Sequence, residues 1–162
     1  MAENKTTETK TAETKTAETK TGATKTAAKK YVPNPEGLNL EFHQACLATG
    51  LVNLQQCVEC GLHRHPPRWY CPSCHSAQYR FTPVSGRGHI YSMAINHFTV
   101  DAGWFDDLPY TVAVVQLEEG PRIVGSLRDA GPGDVRLGDA VQVTVEPRGD
   151  VFAYLWVDLV AP

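Results

Sequence analysis

Apolar side chains are distributed along this chain in three regimes. Residues 6–30 form five pentads, Thr-Thr-Glu-Thr-Lys, Thr-Ala-Glu-Thr-Lys twice, Thr-Gly-Ala-Thr-Lys and Thr-Ala-Ala-Lys-Lys, without one large apolar side chain. Such a segment cannot bury enough surface to offset an ordering entropy of about 1–2 kcal/mol per residue, which predicts a disordered low-complexity tail over 1–35. After Pro33 and Pro35, Leu38, Phe42, Ala45, Cys46 and Thr49 recur at three- and four-residue spacing as far as Gly50. That period predicts a short amphipathic helix within 36–53, which needs a surface to dock on. From Gly86 the period becomes two, and candidate strands run over 89–98, 110–118, 122–128, 140–146 and 151–159. They are rich in Val, Ile, Tyr and Phe and are separated by Glu119-Gly120-Pro121, Gly131-Pro132-Gly133-Asp134 and Arg148-Gly149-Asp150. The chain is therefore expected to be mainly β; five short strands over 83–162 suit a small barrel of the OB type, which removes most sheet edges, with an open sandwich as the alternative because strand count alone does not fix topology.

Between helix and strands, over 54–82, lie Cys57-x-x-Cys60 and Cys71-x-x-Cys74. Two intervening residues let both sulfurs of a pair turn toward one ion, and a second pair completes the tetrahedron that Zn²⁺ prefers. Four thiolates leave no position for water, so the predicted zinc is structural. Gly61 and Pro72 help to shape the two knuckles. The chain is not a short secreted one, and four of its five cysteines sit at metal spacing, which weighs against a disulfide scaffold. Cys46 stands apart and reads as a buried small hydrophobe. The residues between the pairs, His63 to Tyr70, form a polar, proline-stiffened tongue.

No apolar run approaches the about 18 residues that would argue for a membrane span, and the N-terminus has neither a secretory nor a transit-peptide pattern. A soluble protein of the reducing cytoplasm is expected. Residues 1–30 hold seven lysines against four glutamates, net +3, whereas residues 31–162 hold eight arginines and no lysine against fourteen acidic residues, net −6. A folded part of that sign has no general attraction for phosphate backbones, so no nucleic acid is expected as a partner. The tail reads as a solvating segment, or as a weak tether to an anionic surface.

Catalytic motifs are lacking: there is no Gly-x-Ser-x-Gly elbow, no His-Glu-x-x-His and no phosphate loop, and Gly86-Arg87-Gly88 lacks the third glycine of a dinucleotide fingerprint. His63, His65 and His75 adjoin a complete cysteine set and are expected to support it or face water. Asp106-Asp107 and Glu118-Glu119 are sequence neighbours, which rarely face one site. Two segments are candidates for contact with a partner. The tongue offers Arg64, Arg68, Trp69 and Tyr70; the long loop 100–109 offers Trp104 and Phe105, unless Trp104 folds onto the barrel.

The order of parts, a short helix, then Cys57-Val58-Glu59-Cys60-Gly61, Pro66-Pro67, Cys71-Pro72-Ser73-Cys74, Gly86-Arg87-Gly88 and five strands, resembles the DUF35 family from about Leu38 onward. The resemblance implies a rubredoxin-like zinc ribbon followed by an OB fold, in a non-catalytic subunit. It further implies that the partner is a thiolase-like enzyme or a hot-dog-fold hydratase acting on acyl-CoA esters, including sterol side-chain degradation, in a hetero-oligomer. The CoA ester would reach this chain through the complex, and no motif assigns a residue to it. Two rival readings are an OB domain stacking bases on Tyr91, Phe98 and Tyr154, and a rubredoxin-like electron carrier with iron on the four cysteines.

Overall fold

The computed structural model describes residues 29–160, so most of the expected tail lies outside the described residues. Helix α1 (Gly37–Thr49) buries Leu38, Phe42 and Cys46, the stripe that its period predicts. Gly50 ends it in the left-handed conformation (φ 69°), where its N–H donates to the Cys46 carbonyl at 2.8 Å. The chain then doubles back, and buried Asn53 fastens the turn. Its Nδ2 donates to the Ala45 and Leu51 carbonyls at 3.1 and 3.0 Å and to Thr49 Oγ1 at 2.6 Å.

A three-stranded sheet in the order β2-β1-β3 follows, from β1 (Asn53–Cys57), β2 (His63–Arg64) and β3 (Tyr79–Pro83). Both neighbours run antiparallel to β1. The centre of the sheet is polar. Buried Gln55 accepts at Oε1 from Arg64 Nε at 2.6 Å and from the Arg68 N–H at 2.7 Å. Arg64 also donates to the Arg68 carbonyl at 3.2 Å, and its guanidinium lies 6.0 Å from the Tyr79 ring centroid. Arg64, a contact candidate of the tongue, is 6% exposed and ties the tongue to β1.

The remaining strands are β4 (Arg87–Asn96), β5 (Tyr110–Leu117), β6 (Arg122–Leu127), β7 (Ala140–Arg148) and β8 (Phe152–Leu159). They close as β4-β5-β6-β8-β7, with β6 and β8 parallel at Ser126↔Trp156 and Leu127↔Val157. Along β5, Thr111, Ala113, Val115 and Leu117 point inward and the residues between them outward. Ile90, Val115, Ile123, Val141, Val143 and Val157 fill the barrel, and this core continues into Phe42, Cys46, Val52 and Leu54 of the helix and ribbon. Gly86 opens the barrel at φ 71°, and Gly88 lies against the Gln116 carbonyl of β5, where a Cβ would also meet Val115 Cγ1 at 2.8 Å. After a bulge at Ile90/Ser92, residues 92–96 of β4 pair with β5 alone. A 3₁₀ helix (Ala102–Asp107) interrupts the long loop, capped by Asp101, which accepts from the Gly103 N–H at 2.9 Å.

Candidate metal centre and contact residues

The two Cys-x-x-Cys turns repeat one local geometry. The N–H of the first cysteine in each donates five residues ahead, Cys57 to Leu62 O and Cys71 to Ser76 O, both at 2.9 Å. The residue four ahead returns a bond to that cysteine's carbonyl at 3.0 Å, from Gly61 and from His75, and both residues adopt positive φ, 75° and 60°. His75 therefore stands where the first knuckle uses glycine. The turns bring all four Sγ atoms within 4.8 Å of one another; Cys57 and Cys74 are 3.5 Å apart, as are Cys60 and Cys71. Sulfurs about 2.3 Å from a central ion would be about 3.8 Å apart, so the donor set fits a tetrahedral metal.

Electrostatics agree with that fit. The backbone N–H of Cys60 holds the Cys57 thiol below the ordinary range, and the N–H groups of Cys74 and Ser73 hold Cys71 near 6. Cys74 receives the Ser76 N–H, yet its neighbours Cys57, Cys60 and Cys71 push it up to about 12. Four sulfurs this close share their negative charge only if a cation lies among them. Cys46 differs in kind: burial raises its thiol to about 11, and its Sγ accepts the Asn53 N–H at 3.3 Å.

The expected histidines divide. His63 hydrogen-bonds Thr82 Oγ1 across the ribbon at 3.2 Å, and His75 is exposed in its turn. His65, joined to Pro66 by a cis peptide bond, packs against Phe42 at 4.9 Å, and burial lowers it to about 4. The carboxylate pairs do not converge. Glu118 pairs with Arg87 at 2.9 Å, Glu119 accepts the Ser85 N–H at 2.8 Å, and Asp107 pairs with Lys30 at 2.7 Å.

Of the contact candidates, Trp69 and Tyr70 are 60% and 67% exposed, Phe105 is 54% exposed, and Arg68 faces solvent. Trp104 folds onto the barrel, its ring 5.2 Å from Tyr110, 5.9 Å from Tyr154 and 4.2 Å from Lys30 Nζ. It anchors a cluster that the strand pattern does not reveal. Arg148 stacks on Tyr154 at 3.6 Å and pairs with Glu146 at 3.1 Å, which accepts from Trp156 Nε1 at 2.6 Å. Arg128 pairs with Asp158 at 3.2 Å. These cations have anions beside them, so the cluster knits the barrel wall. Of the three rings considered for base stacking, Tyr91 carries the Arg122 guanidinium at 3.3 Å, Tyr154 belongs to the cluster, and Phe98 is 78% exposed.

Comparison with known proteins agrees with this geometry. The family model for the rubredoxin-like zinc ribbon domain of ChsH2 matches residues 54–80, and that for the C-terminal OB-fold domain of ChsH2 matches residues 81–146. A DUF35 domain-containing scaffold protein of Methanothermobacter thermautotrophicus is 34% identical over 90 residues, 54% of this chain and 66% of the relative. The benzoylsuccinyl-CoA thiolase subunit BbsA of Thauera aromatica is 37% identical over 90 residues, 56% of this chain and 60% of its own length. A probable enoyl-CoA hydratase alpha subunit of Thermomonospora curvata is 34% identical over 85 residues, 52% of this chain and 26% of the relative. The chain thus spans less than two thirds of each of these curated relatives. Among solved structures, a chain of the Ltp2-ChsH2(DUF35) aldolase superposes with a TM-score of 0.71 at 25% identity, covering 80% of this chain and 100% of that one. With adjoining ribbon and OB-fold models that together span 54–146, more than half of its residues, this chain belongs to the DUF35 family.

Proposed function

We propose that the chain is a non-catalytic subunit, braced by a structural Zn²⁺ on Cys57, Cys60, Cys71 and Cys74, that docks on a thiolase-like or hydratase enzyme and supports its action on acyl-CoA esters. One observation carries this reading: the chain of an aldolase assembly is matched over its whole length by 80% of this one. The names of the relatives, a thiolase subunit and a hydratase subunit, point the same way. So does the disposition of the chemistry, since Glu118, Glu119, Asp107, Glu146 and Asp158 are each held by structural partners. Zinc would hold the knuckles together and leave no site for water, so its contribution is folding free energy. Thiolate ligands suit a reducing cytoplasm. The acyl group is proposed to belong to the partner's site, with steroid side chains among the substrates.

Turnover and co-purification test the proposal together. The isolated zinc-loaded chain should convert no acyl-CoA, while the tagged chain from its own host should bring down a thiolase-like or hydratase subunit. Turnover by the chain alone would overturn the proposal. Metal analysis should give one zinc per chain; a red, iron-loaded protein would favour the electron carrier instead.

A further inference from the structure

Helix α1, the ribbon and the barrel meet around a groove of about 400 Å³. Its walls are Phe42 and His43 of α1, Pro66 of the tongue, and Phe152 and Leu155 of β8, with Val112 and Val124 of the barrel beside them. Those two valines also belong to a flat outer face. Register places Ala94 beside Val112, Ser92 beside Val114, and Val114 beside Val124, across β4, β5 and β6. Val124 is 55% exposed and Ala94 is exposed, although both sit in a sheet whose opposite side is core. The margin of this face is the part of β4, 92–96, that pairs with β5 alone, and residues 91–100 contain no Asp, Glu, Lys or Arg. Edges of that kind are normally blunted by charge or covered by another element.

No Asp, Glu, Lys or Arg lines the groove, and on the outer face Arg122, two residues before Val124, lies with its guanidinium 3.3 Å over the Tyr91 ring. Burial lowers both histidines in the groove from the ordinary imidazole range, and His43 Nδ1 accepts the Ala153 N–H at 3.2 Å. We propose that the groove and the adjoining β4–β5–β6 face form the docking surface for an apolar, uncharged segment of the partner enzyme subunit, with one bulky apolar side chain seated in the groove. This rests on the proposed function above and names the surface through which it operates.

The occupant follows from three considerations. A charged segment would lose its hydration against the groove lining and gain no counter-ion there. Residues 1–28 and 161–162 do not suit the groove, because 1–28 hold Met1 as their one large apolar side chain and 161–162 are Ala and Pro. A second copy related by a two-fold axis would set one concave groove against another, which fills neither. A different chain with a protruding apolar segment satisfies all three. The groove has walls from all three parts of the fold, so its shape exists only while the ribbon is folded.

The test uses the full chain and the thiolase-like or hydratase subunit that co-purifies with it, re-expressed and purified. Val124→Arg and Ala94→Arg place a charge on the exposed face, so metal content and melting temperature should be retained. Binding measured by calorimetry should weaken on the order of 100-fold in each. Wild-type affinity in both variants would overturn the docking surface while leaving the proposed function standing. Failure of the wild-type chain to bind any such subunit would overturn the proposed function, and this inference with it. If the chain alone forms a dimer that Val124→Arg dissolves, the occupant is a second copy and not a partner enzyme, which overturns the proposal.

Discussion

Cys57 and Cys71 lie buried while Cys60 and Cys74 reach the surface, so each knuckle contributes one inner and one outer sulfur. Replacing either inner cysteine, as Cys57→Ser or Cys71→Ser, should release the metal and unfold the ribbon, because apparent binding energies of about 10–16 kcal/mol for structural zinc exceed what so small a sheet supplies. Metal analysis and thermal melting read the outcome, and full zinc content with unchanged melting would refute it. His65 makes a second prediction. Burial lowers it from 6.5 to about 4, so between these values the unfolded chain binds more protons than the folded one. Its contribution to stability is complete above about pH 6.5 and is lost as pH falls toward 4. His65→Phe, which keeps the contact with Phe42, should flatten the fall in melting temperature over that interval; an unchanged pH profile would contradict the assignment. The cysteines were legible in the sequence because a knuckle is local chemistry. Arg64 was not, since what buries it is Gln55 of another strand and the ring of Tyr79, which no spacing displays.

The barrel strands were legible because β5 alternates inward and outward along its full length, and their observed ends shift by only a few residues. β4 starts at Arg87, earlier than its apolar pattern suggests, because Gly88 already pairs with Leu117 and Val141. Gly88→Ala should therefore cost about 1–3 kcal/mol, as overpacking does, because the new methyl meets the Gln116 carbonyl and Val115. Chemical denaturation measures this, and a loss under 0.5 kcal/mol, the size of an ordinary surface change, would argue against the close packing of β4 on β5. The ribbon strands were not foreseen as strands. β1 is buried on both sides at all but one position, so it shows no alternation, and β2 is two residues long. The helix was visible through its stripe and Gly50, whereas its fastening by buried Asn53 was not, because a lone polar residue reads as loop.

At the scale of the molecule, one core joins helix, ribbon and barrel, and the groove opens where the three meet. The order of parts in the sequence was sufficient to indicate the family. The groove was invisible there, because its lining comes from 39–43, 65–66, 112, 124–126 and 152–155, segments that share no local pattern. The valine face was hidden for the same reason: outward Val112, Val114 and Val124 look like ordinary strand residues until register sets them side by side. A barrel with such a face uncovered is an unfinished surface, which fits a subunit better than a free-standing protein. Native mass spectrometry of the tagged chain purified from its own host tests that account most directly, because one spectrum reads both metal and partner. The predicted result is one zinc per chain in a hetero-oligomer with a thiolase-like or hydratase subunit. A solitary, folded, metal-free chain would contradict it.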